Sequence, residues 1–324
     1  MNAVLLPLLS LFPVAADDDF REFKGHEGPT RVVRFTPDGT KLVSCSGWPE
    51  GDKTLRIWDV KTGKTIHTLT GHTDNIDGMC LSDDGKTILS GSSDGTARLW
   101  DVATGKELKR FEGHKKSGVP AVALAAGGKL AASGSGNGKM IVWKTDTLEE
   151  VFSVDAHTNH VRCLLFTSDG KSLISGSWDG TVKVWDVEKK AEKRTLTMPG
   201  KGVKVDNFAL MPDGKELVVA GGRFSRWNLE TGDEVKRYPG GALSVAISKD
   251  GKRMMTGRYQ GEMILRDTDT GQEKAKFVAH EGTVYWVEFA PDGKTVASAG
   301  GGARDGDKYN KGTDFAVRIW TLDD

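Results

Sequence analysis

The 324-residue chain predicts an all-β fold of seven repeated units, each built from four short strands, on three observations. A Trp recurs at the same point of a strand–turn–strand motif at Trp58, Trp100, Trp143, Trp185 and Trp227, every 42 or 43 residues, and again at Trp320. Between the last two, the segment MILRDTDTG keeps the motif in phase with Arg266 in the Trp place. Glycine-containing turns separate the short apolar stretches, and Gly-His pairs (Gly25-His26, Gly71-His72, Gly113-His114) recur at the same period. A self-similar period of this length, without helical spacing, marks a repeat array of short strands.

The clearest unit is Ser90–Asp101, SGSSDGTARLWD. Asp94 and Gly95 supply a tight turn, because Asp tolerates unusual backbone angles and Gly is free to take φ > 0. Ala97, Leu99 and Trp100-Asp101 then read as a half-buried strand. The whole second repeat places strands at Ile76–Ser82, Thr87–Gly91, Ala97–Asp101 and Glu107–Phe111, parted by Asp83-Asp84-Gly85, Ser93-Asp94-Gly95 and Ala103-Thr104-Gly105. Phe20–Lys24 leads into Gly25-His26 as Thr65–Thr70 and Glu107–Glu112 lead into theirs. It is therefore the last strand of a unit whose other three lie elsewhere. The C-terminus supplies them, since Val317–Leu322 is a third strand with no fourth after it. Joining the two ends closes a ring over residues 20–322 and leaves no unpaired edge between first and last units.

Residues 1–16 differ from all that follows. Val4–Val14 is apolar but far shorter than the ~20 residues of a spanning helix. Val14-Ala15-Ala16 before Asp17-Asp18-Asp19 fits a signal-peptide cleavage site, which predicts an exported, secreted protein, periplasmic or extracellular, cut after Ala16. No Lys or Arg precedes Arg21, and the other reading is an apolar tail on a cytoplasmic protein.

Period, strand number, Gly-His and Trp-Asp together resemble the WD40 repeat family, from about Phe20 to Leu322. The resemblance implies a seven-bladed WD40-type β-propeller in which Phe20–Lys24 completes the last blade. It also implies a structural hydrogen-bonded tetrad of His, Ser or Thr, turn Asp and Trp in each blade. Matching positions are His26, Ser44, Asp52 and Trp58 in blade 1, and His72, Ser90, Asp94 and Trp100 in blade 2. Blade 4 offers His157, Ser175, Asp179 and Trp185, and blade 7 His280, Ser298, Asp314 and Trp320. Blade 3 has His114, Ser133 and Trp143 with Asn137 for Asp, which predicts a neutral and weaker pairing. Blade 5 keeps Trp227 without His or turn Asp, and blade 6 has Thr256, Gln260 and Arg266 without His. His, Ser and Asp in one motif also suggest a hydrolase. A catalytic triad, however, is needed once and open to substrate, whereas this set recurs at the repeat period with an indole as its last member.

Lys+Arg 45 against Asp+Glu 45 leaves no net charge to draw the chain to nucleic acid or an anionic membrane. Cys45, Cys80 and Cys163 sit in strand-like contexts without CxxC spacing and read as apolar thiols. Five of the seven His belong to Gly-His or Ala-His loops, leaving His67 and His160, too few to build a metal site with. Asp305-Gly306-Asp307 with Asn310 lacks the rest of a calcium loop, and no P-loop is present. What the repeat does not explain is a set of aromatics and arginines: Trp48, Trp178, Tyr259, Tyr285, Arg31 and Arg162, beside the long insertion Gly300–Gly312. Trp286 reads as interior packing. In the family, the second-to-third-strand turns and the Gly-His loops share one face. The implied function is a non-catalytic scaffold, without cofactor, that binds a protein or peptide there, with these residues as contacts. The alternatives are an exported propeller enzyme or small-ligand binder at the central channel, and a purely structural part of a larger assembly.

Overall fold

The computed structural model describes residues 20–47, 51–115, 117–305, 308–310 and 312–322. Seven four-stranded antiparallel sheets form the blades of a propeller. Their innermost strands are Thr30–Phe35, Ile76–Leu81, Ala121–Leu124, Val161–Phe166, Val205–Leu210, Ser244–Ile247 and Thr283–Phe289, each touching the next and the last touching the first. Blade 2 runs outward through Thr87–Ser92 and Ala97–Asp101 to Glu107–Phe111.

Burial follows position in the blade. The second strand is buried on both faces, as in Thr87–Ser92, while the outer strand Glu107–Phe111 is exposed until Phe111. The core lies between neighbouring sheets rather than within one. Val43, Ile57 and Leu69 of blade 1 pack on Ile76, Ile88 and Trp100 of blade 2. No blade buries both faces alone, so stability comes from stacking around the ring. Gly95, at φ +84°, closes the second turn of blade 2 in a conformation that Cβ-bearing residues resist. One short 3₁₀ turn, Ala126–Gly128, interrupts the all-β pattern in blade 3.

Blade 7 is assembled from both ends of the chain. Thr283–Phe289, Thr295–Gly301 and Val317–Thr321 come from the C-terminal side, and Phe20–Phe23 from the N-terminal side. Phe20 pairs with Trp320 and Phe23 with Val317, antiparallel. Arg318 donates to Glu22 at 2.7 Å across this junction, and Phe23 packs edge-on against Trp58 of blade 1. The insertion in the same blade carries a small hairpin, Ala303–Asp305 with Lys308–Asn310.

Candidate functional site

The residues that recur with the blades form one type of site. In blade 2, Trp100 Nε1 donates to Ser90 Oγ at 2.8 Å, Ser90 Oγ lies 2.8 Å from His72 Nε2, and His72 Nδ1 lies 2.8 Å from Asp94. Trp only donates and a carboxylate only accepts, so the proton on His72 sits at Nδ1 and the Ser90 hydroxyl donates to Nε2. Blades 1, 4 and 7 repeat the chain: His26–Asp52 2.9 Å, His157–Asp179 3.0 Å and His280–Asp314 3.2 Å, with Ser44, Ser175 and Ser298 each joining His to Trp58, Trp185 and Trp320. These serines are fully buried and the rings nearly so, which closes the set to substrate.

Blade 3 departs from the expectation. His114 bonds Ser133 at 2.8 Å and Trp143 bonds the same oxygen at 3.2 Å. Asn137 does not pair with His114, because its Oδ1 accepts from the Ser135 hydroxyl at 2.5 Å and the Lys139 N–H. In blade 5 Trp227 finds Ser225. In blade 6 Arg266 occupies the Trp position at the same register shift and is held by Glu273 at 2.7 Å. The pattern reading missed two supports. A Thr two residues past the Asp bonds its carboxylate (Thr54, Thr96, Thr181), and Arg98 and Arg318 brace Asp94 and Asp314. The Asp-x-Thr spacing carried the first signal.

Burial pushes the Asp94 carboxyl up, but hydrogen bonds from His72 and Thr96 outweigh it and hold it well below the usual range. Asp314 is held at about 2 in the same way, by His280 against burial. Burial lowers His26, His72 and His280 against the pull of their carboxylates. His114, with no carboxylate, falls to about 4.

A second set gathers at the mouth of the central channel. The His–Asp bonds put the Gly-His loops and the second turns at the same end of every intact blade. At that end five innermost strands carry a bulge, at Arg31, Asp77, Arg162, Asp206 and Tyr285. A bulge leaves one residue outside the ladder and re-aims its side chain. Blades 3 and 6 have no such bulge, and their innermost strands start at Ala121 and Ser244.

The ejected side chains meet. Arg31 lies 4.0 Å from the Tyr285 ring centroid and 3.6 Å from Asp77. Trp178, on the second turn of blade 4, donates from Nε1 to Asp206 at 2.8 Å. Its ring is flanked by Arg162 at 5.1 Å, Lys204 at 4.5 Å and His160 at 4.9 Å. Burial lowers Arg162, Arg31 adds to that, and its Nε has no hydrogen-bond partner. Burial also raises Asp206, against the donors around it. Of the sequence candidates, then, Arg31, Tyr285, Arg162 and Trp178 come together in two clusters. Tyr259 stands apart, over half exposed on the second turn of blade 6, and Trp48 lies outside the described residues. Asp77, Lys204 and Asp206 were missed. The signal for the two Asp was a charged residue directly after the first apolar residue of a strand, as in Ile76-Asp77-Gly78 and Val205-Asp206-Asn207.

His67 bonds the Ala103 carbonyl on an outer strand, and Trp286 packs between blades beneath Arg34. The calcium-like segment falls partly outside the described residues. Among the described residues no three His, Cys, Asp or Glu side chains are arranged to hold a metal, and no helix is long and apolar enough to cross a membrane.

The family model "WD domain, G-beta repeat" matches residues 18–59, 63–101, 105–144, 148–186 and 271–321. The unmatched span between 186 and 271 holds blade 5 and the first three strands of blade 6, the two blades that lack the His and turn Asp. A serine-threonine kinase receptor-associated protein of Gallus gallus is 28% identical over 301 residues, covering 92% of this chain and 68% of that protein. The target of rapamycin complex subunit wat1 of Schizosaccharomyces pombe is 25% identical, covering 90% and 78%. The solved structure of U3-55K superposes with a TM-score of 0.82 at 21% identity, over 96% of this chain and all of that one, which speaks to the fold alone. These relatives correct the expectation of a secreted protein with a signal peptide. They are named as a receptor-associated protein and a complex subunit, and neither is named as a secreted protein.

Asp94→Ala, which leaves His72 and Thr96 without their buried acceptor, is expected to cost about 1–3 kcal/mol in urea unfolding. An unchanged midpoint would remove the tetrad from the stability account. The buried His114 favours its neutral form, so folding loses stability as pH falls from ~6.5, its unfolded value, to about 4. Urea midpoints measured across that window should fall less steeply for His114→Gln than for the unaltered chain.

Proposed function

The chain belongs to the WD40 repeat family, and from that premise we propose that it is a non-catalytic scaffold that binds a protein or peptide at the channel mouth. The observation that carries this is the convergence of Arg31, Tyr285, Arg162 and Trp178 on one end of a rigid ring, supplied by bulges and a turn rather than by the repeat's own hydrogen bonds. Aromatic and Arg side chains on a fixed frame suit partner binding, since they bury large area with little loss of conformational freedom. The relatives' names point the same way: one is a receptor-associated protein and another a subunit of a complex. The recurrent His, Ser and Asp are closed structural groups, which favours this reading over an enzyme. The site of action is then the cytoplasm, in line with the relatives' names. Residues 20–322 act as one binding unit.

The Trp178→Ala/Tyr259→Ala double variant tests the reading. It should keep its thermal midpoint within a few degrees and lose partners that the unaltered chain captures from cytosolic extract. Full retention of every such partner by the folded variant would refute the assignment of this face.

A further inference from the structure

We propose that the cleft between blades 5 and 6 receives an acidic side chain, Asp or Glu, of the partner peptide; this rests on the peptide-binding reading of the same face. The cleft has a volume of about 490 Å³ and is lined by Lys204, Asp206, Gly221, Gly222, Arg258 and Tyr259. Its origin is local. Blade 5 lacks the Asp-Gly pair of its second turn, and the strand Glu216–Gly221 runs straight into a short Gly222-Arg223 connection. A Cβ on Gly221 would stand 2.0 Å from the Lys204 carbonyl oxygen, so the floor is bare backbone.

The charges around the opening select the occupant. Asp206 already accepts from Trp178 and faces Arg162, Lys204 and Arg31. Glu262, at the foot of Arg258, is held by Lys276 at 2.5 Å. The Lys204 ammonium, by contrast, rests on the face of Trp178, a weaker partner than a carboxylate. Arg258 points its Nε to the Gly241 carbonyl and shares Glu262 at 3.5 Å. Across the mouth and the cleft, Arg31, Arg162, Lys204 and Arg258 outnumber Asp77 and Asp206, and burial lowers His160, which favours its neutral form. The excess is positive and faces a low-dielectric floor, where it attracts a carboxylate. Tyr259, 52% exposed at the rim, offers a face for an apolar neighbour of that carboxylate.

The test uses the full chain and a fluorescein-labelled peptide of alternating Asp and Leu, with alternating Ser–Leu and Lys–Leu peptides beside it, read by fluorescence anisotropy. The Asp–Leu peptide should bind at least about tenfold more tightly than the Ser–Leu peptide and weaken as salt rises. Lys204→Glu should lose about tenfold while Lys204→Arg keeps binding. If Lys204→Glu does not fold, Lys204→Gln carries the comparison, with a smaller loss expected. Equal binding of Asp–Leu and Ser–Leu peptides, or no change in the charge variant, overturns the proposal. A captured partner that is lost with Trp178→Ala/Tyr259→Ala but indifferent to Lys204→Glu overturns it too, and leaves the binding face standing.

Discussion

The architecture depends on one strand pairing: Phe20–Phe23 laid against Val317–Thr321. Without it blade 7 has three strands, its outer edge carries open N–H and C=O groups, and Trp320 loses the cover of Phe20, whose ring lies 4.7 Å away. The ends meet across nearly the whole chain, so this contact costs the most loop entropy to form. It is correspondingly reinforced. Arg318 joins Glu22 of the first strand to Asp314 of the blade 7 tetrad, which couples closure to the same hydrogen-bond chain that sets the loops at the channel mouth.

The frame and the site draw on different parts of the sequence. Trp, Ser, His and turn Asp repeat because each intact blade satisfies the same buried donors and holds the same loop against the same turn. The channel-mouth side chains repeat in place but not in kind: Arg, Asp, Arg, Asp and Tyr occupy equivalent bulges. Position is set by the fold, and chemistry is free to vary there because the recurrent His–Ser–Trp–Asp hydrogen bonds do not include it. Blades 5 and 6, stripped of His and turn Asp, extend the same logic. The cleft between them is lined by Gly221 and Gly222 of blade 5 and by Arg258 and Tyr259 of blade 6.

This division explains what could be read from residues alone. The Trp ladder and the Gly-His pairs announce themselves by period, and the strand spans of blade 2 fall within a residue of those read from turn chemistry, Thr87–Ser92 against Thr87–Gly91. Ser44, Ser90, Ser175 and Ser298 follow by counting. Asp77 and Asp206 do not, because a bulge shifts alternation by one residue and a single charged position in a short strand looks like its solvent face. Asn137 misled for a related reason: an amide can turn its oxygen to Ser135 and the Lys139 N–H, a local alternative that outcompetes His114. The apolar run at residues 4–14 suggested export by composition, and the relatives, a receptor-associated protein and a complex subunit by name, point the other way.

Hydrogen exchange of the backbone amides in Phe20–Phe23 probes the closure most directly. Ring closure predicts that amides of this strand bonded to Val317–Thr321 are protected to a degree comparable with that partner strand, since both open only when blade 7 opens. Exchange of those amides at the rate of an unstructured peptide, with Val317–Thr321 still protected, would contradict the closed ring and the geometry of the channel mouth built upon it.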